Sequence, residues 1–157
     1  MFLSFLLVVF LFCCPAQAQT GLPLPRFVSL RSDQVNLRTG PGFRYPVEWV
    51  YLKNDLPVEI TAEFETWRRI KDSEGKEGWI YQAMLSGRRT VRVKQETLLL
   101  RAANKNALPL AKIESGAIGR LMLCPAEVNL CKVEFNHFQG WVFKNLLWGV
   151  YPHEVFE

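Results

Sequence analysis

Residues that enzymes use for nucleophilic or metal-assisted chemistry are scarce in this chain. It has two histidines and four cysteines in 157 residues, and two of the cysteines lie in the apolar N-terminal segment. The sequence contains no Gly-x-Ser-x-Gly, His-Glu-x-x-His or P-loop motif. Glu63 and Glu65 are expected on the solvent face of a strand, and His137 is expected in a hairpin turn. The sequence therefore predicts no catalytic residue, no metal site and no cofactor.

Long apolar runs are also absent. The longest, Phe5–Cys14, has about ten residues, whereas a helix needs roughly 20 to cross a bilayer. A proline and then Ala-Gln-Ala at 16–18 follow it, which is the pattern of a secretory signal peptide, although no basic residue precedes the run. We predict that residues 1–18 are a signal peptide and that the remainder is periplasmic. A lipid anchor at Cys13 or Cys14 is disfavoured because bulky residues precede them, and uncleaved membrane attachment is the third possibility.

The chain has no block of like charges, and its net charge of +4 is spread unevenly. Residues 19–94 carry 13 basic and 9 acidic side chains, whereas residues 95–157 carry 6 of each. A surplus of this size fits an anionic partner such as wall polymer, lipid or nucleic acid, but it is also typical of an ordinary solvated surface. Export argues against nucleic acid, so we predict no nucleic-acid partner.

Glycine and proline, 19 residues together, recur at short intervals and leave little room for long helices. This spacing favours an all-β chain of short strands. In the clearest stretch, Val35–Arg38 and Pro46–Leu52 are predicted strands, and Gly40-Pro41-Gly42 lies between them. Because glycine adopts positive φ easily and proline fixes φ near about −65°, this loop is predicted to be a tight, pre-set turn.

The remaining segments are predicted from the same signals. Residues 19–26 are expected to be a linker or an extended arm, and residues 82–85 a single 3₁₀ turn. The basic and apolar alternation of residues 88–94 predicts an edge strand that closes the first folding unit. For residues 150–157, packing back onto the fold and fraying remain equally open.

Five blocks of the first half recur in the second half at an offset of 62–63 residues. The matched blocks are VNLR (35–38) with LLLR (98–101), PV (46–47) with PL (109–110), WRRI (67–70) with LCKV (130–133), GWI (78–80) with GWV (140–142), and MLSG (84–87) with LLWG (146–149). We interpret the chain as two copies of one β module, at residues 27–94 and 95–157. Trp67 and Trp79 are expected in or beside the first core.

The sequence resembles the bacterial Src-homology-3 (SH3) domain family. The resemblance rests on VNLRTGPGFRYPV (35–47), WRRI (67–70) and GWIYQAML (78–85), and more weakly on LLLR, LCKV and GWVFKNLLWG in the second copy. It implies two tandem small SH3-like β-barrels of five or six strands each, with a groove beside the Gly-Pro-Gly loop. Such domains accompany wall hydrolases and bind peptidoglycan peptides or protein segments, and this chain has no recognisable catalytic domain.

Aromatic and basic residues cluster in or near that first loop, and we predict that they bind a ligand. The candidates are Arg38, Phe43, Arg44, Tyr45, Trp49, Tyr51 and Tyr81. Aromatic platforms suit extended peptides, and the two arginines suit carboxylates. Alternatively, half of these aromatic residues simply fill a small barrel, and Arg38 binds a loop carbonyl or Asp33.

Cys124 and Cys131 are the cysteines that remain after the predicted cleavage, and an oxidising compartment favours a disulfide between them. They flank a short segment at the ends of two strands that are predicted to form a hairpin. A zinc site lacks further ligands, and a redox pair would need Cys-x-x-Cys near a helix.

Together these features predict an exported, non-enzymatic binding module. Its expected ligand is a peptidoglycan peptide or an envelope protein segment, bound through the aromatic groove of the first barrel. The alternative is a structural or assembly protein of the envelope without a wall ligand, and a role in wall hydrolysis is third. The sequence does not predict an oligomeric state.

Overall fold

The structure, a computed structural model, describes residues 20–157, so the predicted signal peptide lies outside the described residues. The described part is all-β, as predicted, and its strands form two separate sheets of seven. The first sheet contains β1 (Arg26–Leu30), β2 (Val35–Arg38), β3 (Val47–Tyr51), β4 (Pro57–Phe64), β5 (Trp67–Lys71), β6 (Glu77–Tyr81) and β7 (Leu85–Ser86). The second contains β8 (Thr90–Val93), β9 (Thr97–Leu100), β10 (Pro109–Ile113), β11 (Ile118–Leu123), β12 (Leu130–Phe135), β13 (Phe138–Phe143) and β14 (Leu147–Trp148). Two short 3₁₀ turns, Gln82–Met84 and Lys144–Leu146, precede β7 and β14.

The two sheets have the same topology. The first runs β3-β2-β6-β5-β4-β1-β7, and the second runs β10-β9-β13-β12-β11-β8-β14, which is the same order shifted by seven strands. This identity confirms the repeat that the sequence indicated. Each sheet has seven strands rather than the five or six implied by the resemblance, because β7 and β14 are separate two-residue strands.

Two of the five matched blocks are out of register by one residue. Gly78 lies against Leu37, and the equivalent Gly140 lies against Leu99, so the block 35–38 corresponds to residues 97–100 and not to 98–101. The block 46–47 is shifted in the same way, because Val47 pairs with Arg38 and Pro109 pairs with Leu100. Leu100 is therefore the counterpart of Arg38. The error matters because side chains alternate between the two faces of a strand, and a slip of one residue exchanges the faces.

The prediction that residues 88–94 close the first unit is wrong. β8 pairs with β11 and β14, so it belongs to the second sheet. The position in the first sheet that corresponds to β8 is occupied by β1, which pairs with β4 and β7. The pattern of basic and apolar residues was compatible with either sheet, because it reports burial of one face and not the neighbouring strand.

Apolar side chains on alternate strand positions form one core in each sheet. In the first sheet the fully buried residues include Leu37, Ile70 and Ile80, and in the second they include Leu99 and Val133. The glycine of the recurring Gly-Trp pair, Gly78 or Gly140, is required in both copies because a leucine side chain packs against it. A Cβ on Gly78 would stand 2.6 Å from Leu37 Cγ, so only glycine lets β6 cross this closely over β2.

The two sheets pack directly on each other. The Phe27 ring centroid lies 5.1 Å from that of Trp148 and 4.7 Å from that of Tyr151. Trp148 Nε1 donates a hydrogen bond of 3.0 Å to the carbonyl oxygen of Pro57, and the Tyr151 hydroxyl donates one of 2.8 Å to Glu59 Oε1. These aromatic and polar contacts join residues far apart in sequence and hold the two barrels in one orientation.

The C-terminal segment packs back onto the second barrel. Cys124 and Phe156 exchange two backbone hydrogen bonds, of 2.7 Å and 3.1 Å. Glu154 pairs with Arg89 at 2.6 Å, and its carbonyl oxygen accepts a hydrogen bond from the buried Lys144 Nζ at 2.9 Å. Of the two outcomes that the sequence left open for this segment, packing is the one observed.

The disulfide between Cys124 and Cys131 is present, as predicted, with the two Cα atoms 4.3 Å apart. Both cysteines are fully buried, and the bond closes the loop between β11 and β12. No helix within residues 20–157 is long and apolar enough to cross a membrane.

Candidate binding site

The Gly-Pro-Gly loop is compact, as predicted, but the glycines are needed for a different reason from the one predicted. Neither Gly40 nor Gly42 adopts positive φ. Instead, a Cβ on Gly40 would stand 2.5 Å from a carbon of the Tyr45 ring, and one on Gly42 would stand 3.3 Å from it. Glycine is therefore required at position 40, where the half-buried Tyr45 ring occupies the space of a side chain, whereas a side chain at position 42 would need only a small shift of that ring. Tyr45 therefore packs against the loop backbone, and its contact with a ligand stays a prediction.

Arg38 also fixes this loop. Its Nη1 donates hydrogen bonds to the carbonyl oxygens of Phe43, at 3.1 Å, and Tyr45, at 2.8 Å. This is the structural alternative that the sequence had left open, in which the guanidinium binds loop carbonyls. The same guanidinium carbon lies 5.6 Å from the centre of the Phe43 ring, so Arg38 sets the position of that ring as well.

Three aromatic rings meet at the tip of the loop and form what we call the aromatic cluster: Phe43, Trp67 and Tyr81. The Phe43 centroid lies 4.9 Å from Trp67 and 5.3 Å from Tyr81, and those two lie 5.6 Å apart. Trp67 is only 5% exposed, whereas Phe43 is 67% exposed. A large apolar ring that is held in place from below and open above is a ready contact surface for a ligand.

A buried charge network supports Trp67. Arg68 donates hydrogen bonds of 2.8 Å to the carbonyl oxygens of Glu65 and Trp67, and one of 2.7 Å to Gln82 Oε1. Its Nε lies 3.4 Å from the carboxylate of Glu63. Contrary to the sequence-based expectation, Glu63 is buried, because these charged partners replace the water that it would otherwise need.

The carboxylate of Glu63 also binds the segment predicted as a linker. It accepts hydrogen bonds from the backbone N–H and the hydroxyl of Thr20, at 2.9 Å and 2.7 Å, and from Arg26 Nη2 at 2.7 Å. Burial alone would raise the pKa of Glu63, but the donors from Thr20 and Arg26 and the charge of Arg68 outweigh it and lower the pKa to about 2. Glu63 therefore stays charged and fastens the N-terminal segment to the barrel.

The other predicted ligand residues lie elsewhere. Arg44 is exposed, and its guanidinium carbon lies 5.1 Å from the centre of the Tyr45 ring. Tyr51 is a core residue whose hydroxyl donates a hydrogen bond of 2.9 Å to Asp72; burial and this carboxylate raise its pKa. Trp49 is 48% exposed and faces Lys76, on a different surface.

The sequence-based list thus contains two members of the aromatic cluster and misses the third. Trp67 was assigned to the core, correctly, but its ring also forms the floor under Phe43. Nothing in the local pattern showed this second role. The signal available was its position directly opposite Tyr81 in the β5–β6 pair, which places two aromatic residues side by side.

The second barrel has no equivalent surface at the corresponding positions. Strand pairing places Leu100 at the position of Arg38, Leu130 at that of Trp67 and Phe143 at that of Tyr81. The loop after β9 has the sequence Ala-Asn-Lys-Asn at 103–106 and contains no aromatic residue. The aromatic cluster is therefore a feature of the first barrel.

Comparison with known proteins finds a family similarity in the first barrel. Residues 31–87 match the family model of the bacterial SH3 domain. Two solved structures with a similar trace are those of NlpC1 and NlpC2 from Trichomonas vaginalis, each 9% identical with a TM-score of 0.36. The alignments cover 83% and 79% of this chain and 48% of each solved chain, so this chain spans about half their length. A search of curated proteins finds no match.

Proposed function

We infer that this chain, which carries a bacterial SH3 domain at residues 31–87, is an exported, non-enzymatic module that binds a peptide through its first barrel. The single observation that carries this proposal is the aromatic cluster. An exposed Phe43 rests on a buried Trp67 and beside Tyr81, within the segment that matches the family. Rigid aromatic rings bind extended peptides with little loss of conformational entropy.

The ligand class that we propose is a peptidoglycan peptide or an envelope protein segment in the periplasm. Arg38 Nη1 already donates to two loop carbonyl oxygens, so we assign Arg38 to holding the loop rather than to the ligand. Arg44 is exposed and directly follows Phe43 in the loop, so we assign to it the charge that a carboxylate on such a peptide would meet. Binding would therefore combine an apolar contact on Phe43 with a screened, salt-sensitive contribution from Arg44.

Co-sedimentation of the purified protein with isolated sacculi tests this proposal, at low and at moderate salt. Phe43→Ala should weaken binding by about tenfold or more, because truncation of an aromatic anchor typically costs more than 1 kcal/mol. Phe138→Ala is the matched control, since Phe138 is 58% exposed on the second barrel and lies outside the cluster. Equal binding by the two variants would exclude the cluster.

The same variants distinguish the remaining possibilities. Binding that disappears at moderate salt for wild type would reflect only the net charge of +4. If no binding to sacculi occurs at either salt, the same pair of variants in a pull-down from envelope extract tests a protein ligand. Release of soluble muropeptides by the purified protein would contradict the non-enzymatic assignment.

A further inference from the structure

Besides the aromatic cluster, the first barrel exposes the unpaired edge of β3. β3 is the terminal strand of its sheet and pairs only with β2. Its residues Trp49 and Val50 are 48% and 38% exposed, and Leu52 just beyond it is 76% exposed. The equivalent edge in the second barrel is protected, since β10 begins with a proline and carries Lys112 paired with Glu96.

This edge borders a cleft between the two barrels. The cleft has a volume of about 330 Å³, which is at the lower end of the range for ligand sites. Trp49 and Leu52 line one side, the turn at 72–76 lines another, and Arg92 and Ile118 of the second barrel close it. Because the aromatic contacts of Trp148 and Tyr151 fix the orientation of the barrels, the cleft is preformed.

The acidic side chains in the cleft have hydrogen-bond or ion-pair partners, whereas two of its basic side chains have no ion-pair partner among residues 20–157. The carboxylate of Asp72 accepts hydrogen bonds from the Tyr51 hydroxyl and from the backbone N–H groups of residues 74 and 76. Glu74 lies 3.4 Å from Arg92, which compensates it. By contrast, Lys53 and Lys76 take part in no ion pair within residues 20–157. The lining therefore carries three basic and two acidic side chains, and the ammonium groups of Lys53 and Lys76 are available to an acidic ligand.

Lys76 is also held in position. Its Nζ lies 4.7 Å from the centre of the Trp49 ring, in a cation–π contact that places an ammonium group beside an exposed indole. The site thus offers an unpaired strand edge, an aromatic surface and two free ammonium groups. Each feature suits a different part of one ligand: an extended backbone, an apolar side chain and a carboxylate.

We propose that this inter-barrel cleft is a second binding site, which takes an extended acidic peptide segment along the free edge of β3. The ligand backbone pairs with β3, its apolar side chains contact Trp49 and Leu52, and its carboxylates meet Lys53 and Lys76. This site is separate from the aromatic cluster and does not depend on the function proposed for it.

The probe is a capped hexapeptide of alternating valine and glutamate, titrated calorimetrically into the purified protein, with the alternating valine and lysine peptide as the charge-reversed control. The acidic peptide should bind with a dissociation constant below about 1 mM, and the basic one should not bind. The double variant Lys53→Gln with Lys76→Gln should weaken binding by about tenfold, because two exposed charge contacts are removed. Lys105→Gln, at an exposed lysine of the second barrel, should change nothing.

The outcomes separate this site from the aromatic cluster. The proposal requires that Phe43→Ala leaves binding of the acidic peptide unchanged. Absence of saturable binding, equal binding of both peptides, or equal affinity of wild type and the double variant would each overturn it. Loss of peptide binding in Phe43→Ala would do the same, because the peptide would then occupy the aromatic cluster.

Discussion

Replacing Glu63 with glutamine probes the charge network that connects the N-terminal segment to the aromatic cluster. The side chain keeps its shape but loses its charge. Arg26 and Arg68, whose distances to the carboxylate are 2.7 Å and 3.4 Å, would then lie near each other without a counter-charge. Since the side chain of Arg68 is only 5% exposed, solvent cannot replace the lost partner.

The expected loss of stability follows from the pKa of Glu63. A decrease from 4.5 to about 2 corresponds to a stabilisation of the folded state by about 3 kcal/mol at neutral pH. Removal of one partner of a buried ion pair typically costs about 3–5 kcal/mol, so the two estimates agree. The expected loss for Glu63→Gln is about 3 kcal/mol, the lower end of that range, because Arg26 remains partly open to solvent and screening weakens its attraction to the carboxylate.

Urea unfolding followed by tryptophan fluorescence measures this loss. With an m-value of about 2 kcal/mol/M, Glu63→Gln should lower the midpoint by about 1.5 M at pH 7. Glu65→Gln is the control, because Glu65 is exposed and its substitution should change stability by less than about 0.5 kcal/mol.

The pH dependence of the stability difference between wild type and Glu63→Gln tests the role of the Glu63 charge. The folded pKa of Glu63 is depressed, so its contribution is complete above the unfolded pKa of about 4.5 and is lost as pH falls towards 2. The difference between wild type and Glu63→Gln should therefore shrink below pH 4.5. A difference below about 1 kcal/mol at pH 7, or one that stays constant down to pH 2.5, would contradict the role given to this carboxylate.

The other predictions concern the packing of the barrels. Gly78→Ala should destabilise the protein by about 1–3 kcal/mol in urea, because the new Cβ would overlap Leu37, whereas Gly87→Ala, with open space around it, should not. Joint replacement of Cys124 and Cys131 by alanine should cost about 2.5 kcal/mol, the entropy of closing a short loop, and an unchanged urea midpoint would disprove this. Trp148→Phe should lose about 1 kcal/mol with its hydrogen bond to the other barrel, measured by thermal unfolding; an unchanged transition would mean that this contact does not stabilise the barrel pair.

The fold was predictable from the sequence to the extent that it depends on local pattern. Alternating apolar residues and frequent glycine and proline indicated short strands, and the recurring blocks indicated two copies. The assignment of residues 88–94 failed because an alternating strand carries no information about its neighbour. β8 pairs with β11 and β14, and both of these strands come later in the chain.

The candidate site was predictable only in part, for a related reason. Composition located the aromatic residues near the loop, but it did not separate rings that support the loop from rings that face solvent. Tyr45 and Tyr51 differ little from Phe43 in the sequence, yet one lies against Gly40 and another is buried beside Asp72. Which of them is exposed depends on contacts with β5 and the turn at 72–76, and these are distant in sequence.

The divergence of the two copies indicates a division of roles. The first barrel keeps Arg38 and Trp67, and with them a rigid loop and an exposed Phe43. The second has leucine at both of those positions, but it carries the disulfide and the C-terminal segment that stabilise its own loop between β11 and β12. It also supplies Trp148 and Tyr151, whose rings and hydrogen bonds fix the first barrel. Because the second barrel lacks the aromatic cluster but carries residues that contact the first barrel, it is suited to orient the first barrel. That orientation also preforms the cleft beside β3, so the second copy would contribute through geometry to the binding that we propose there.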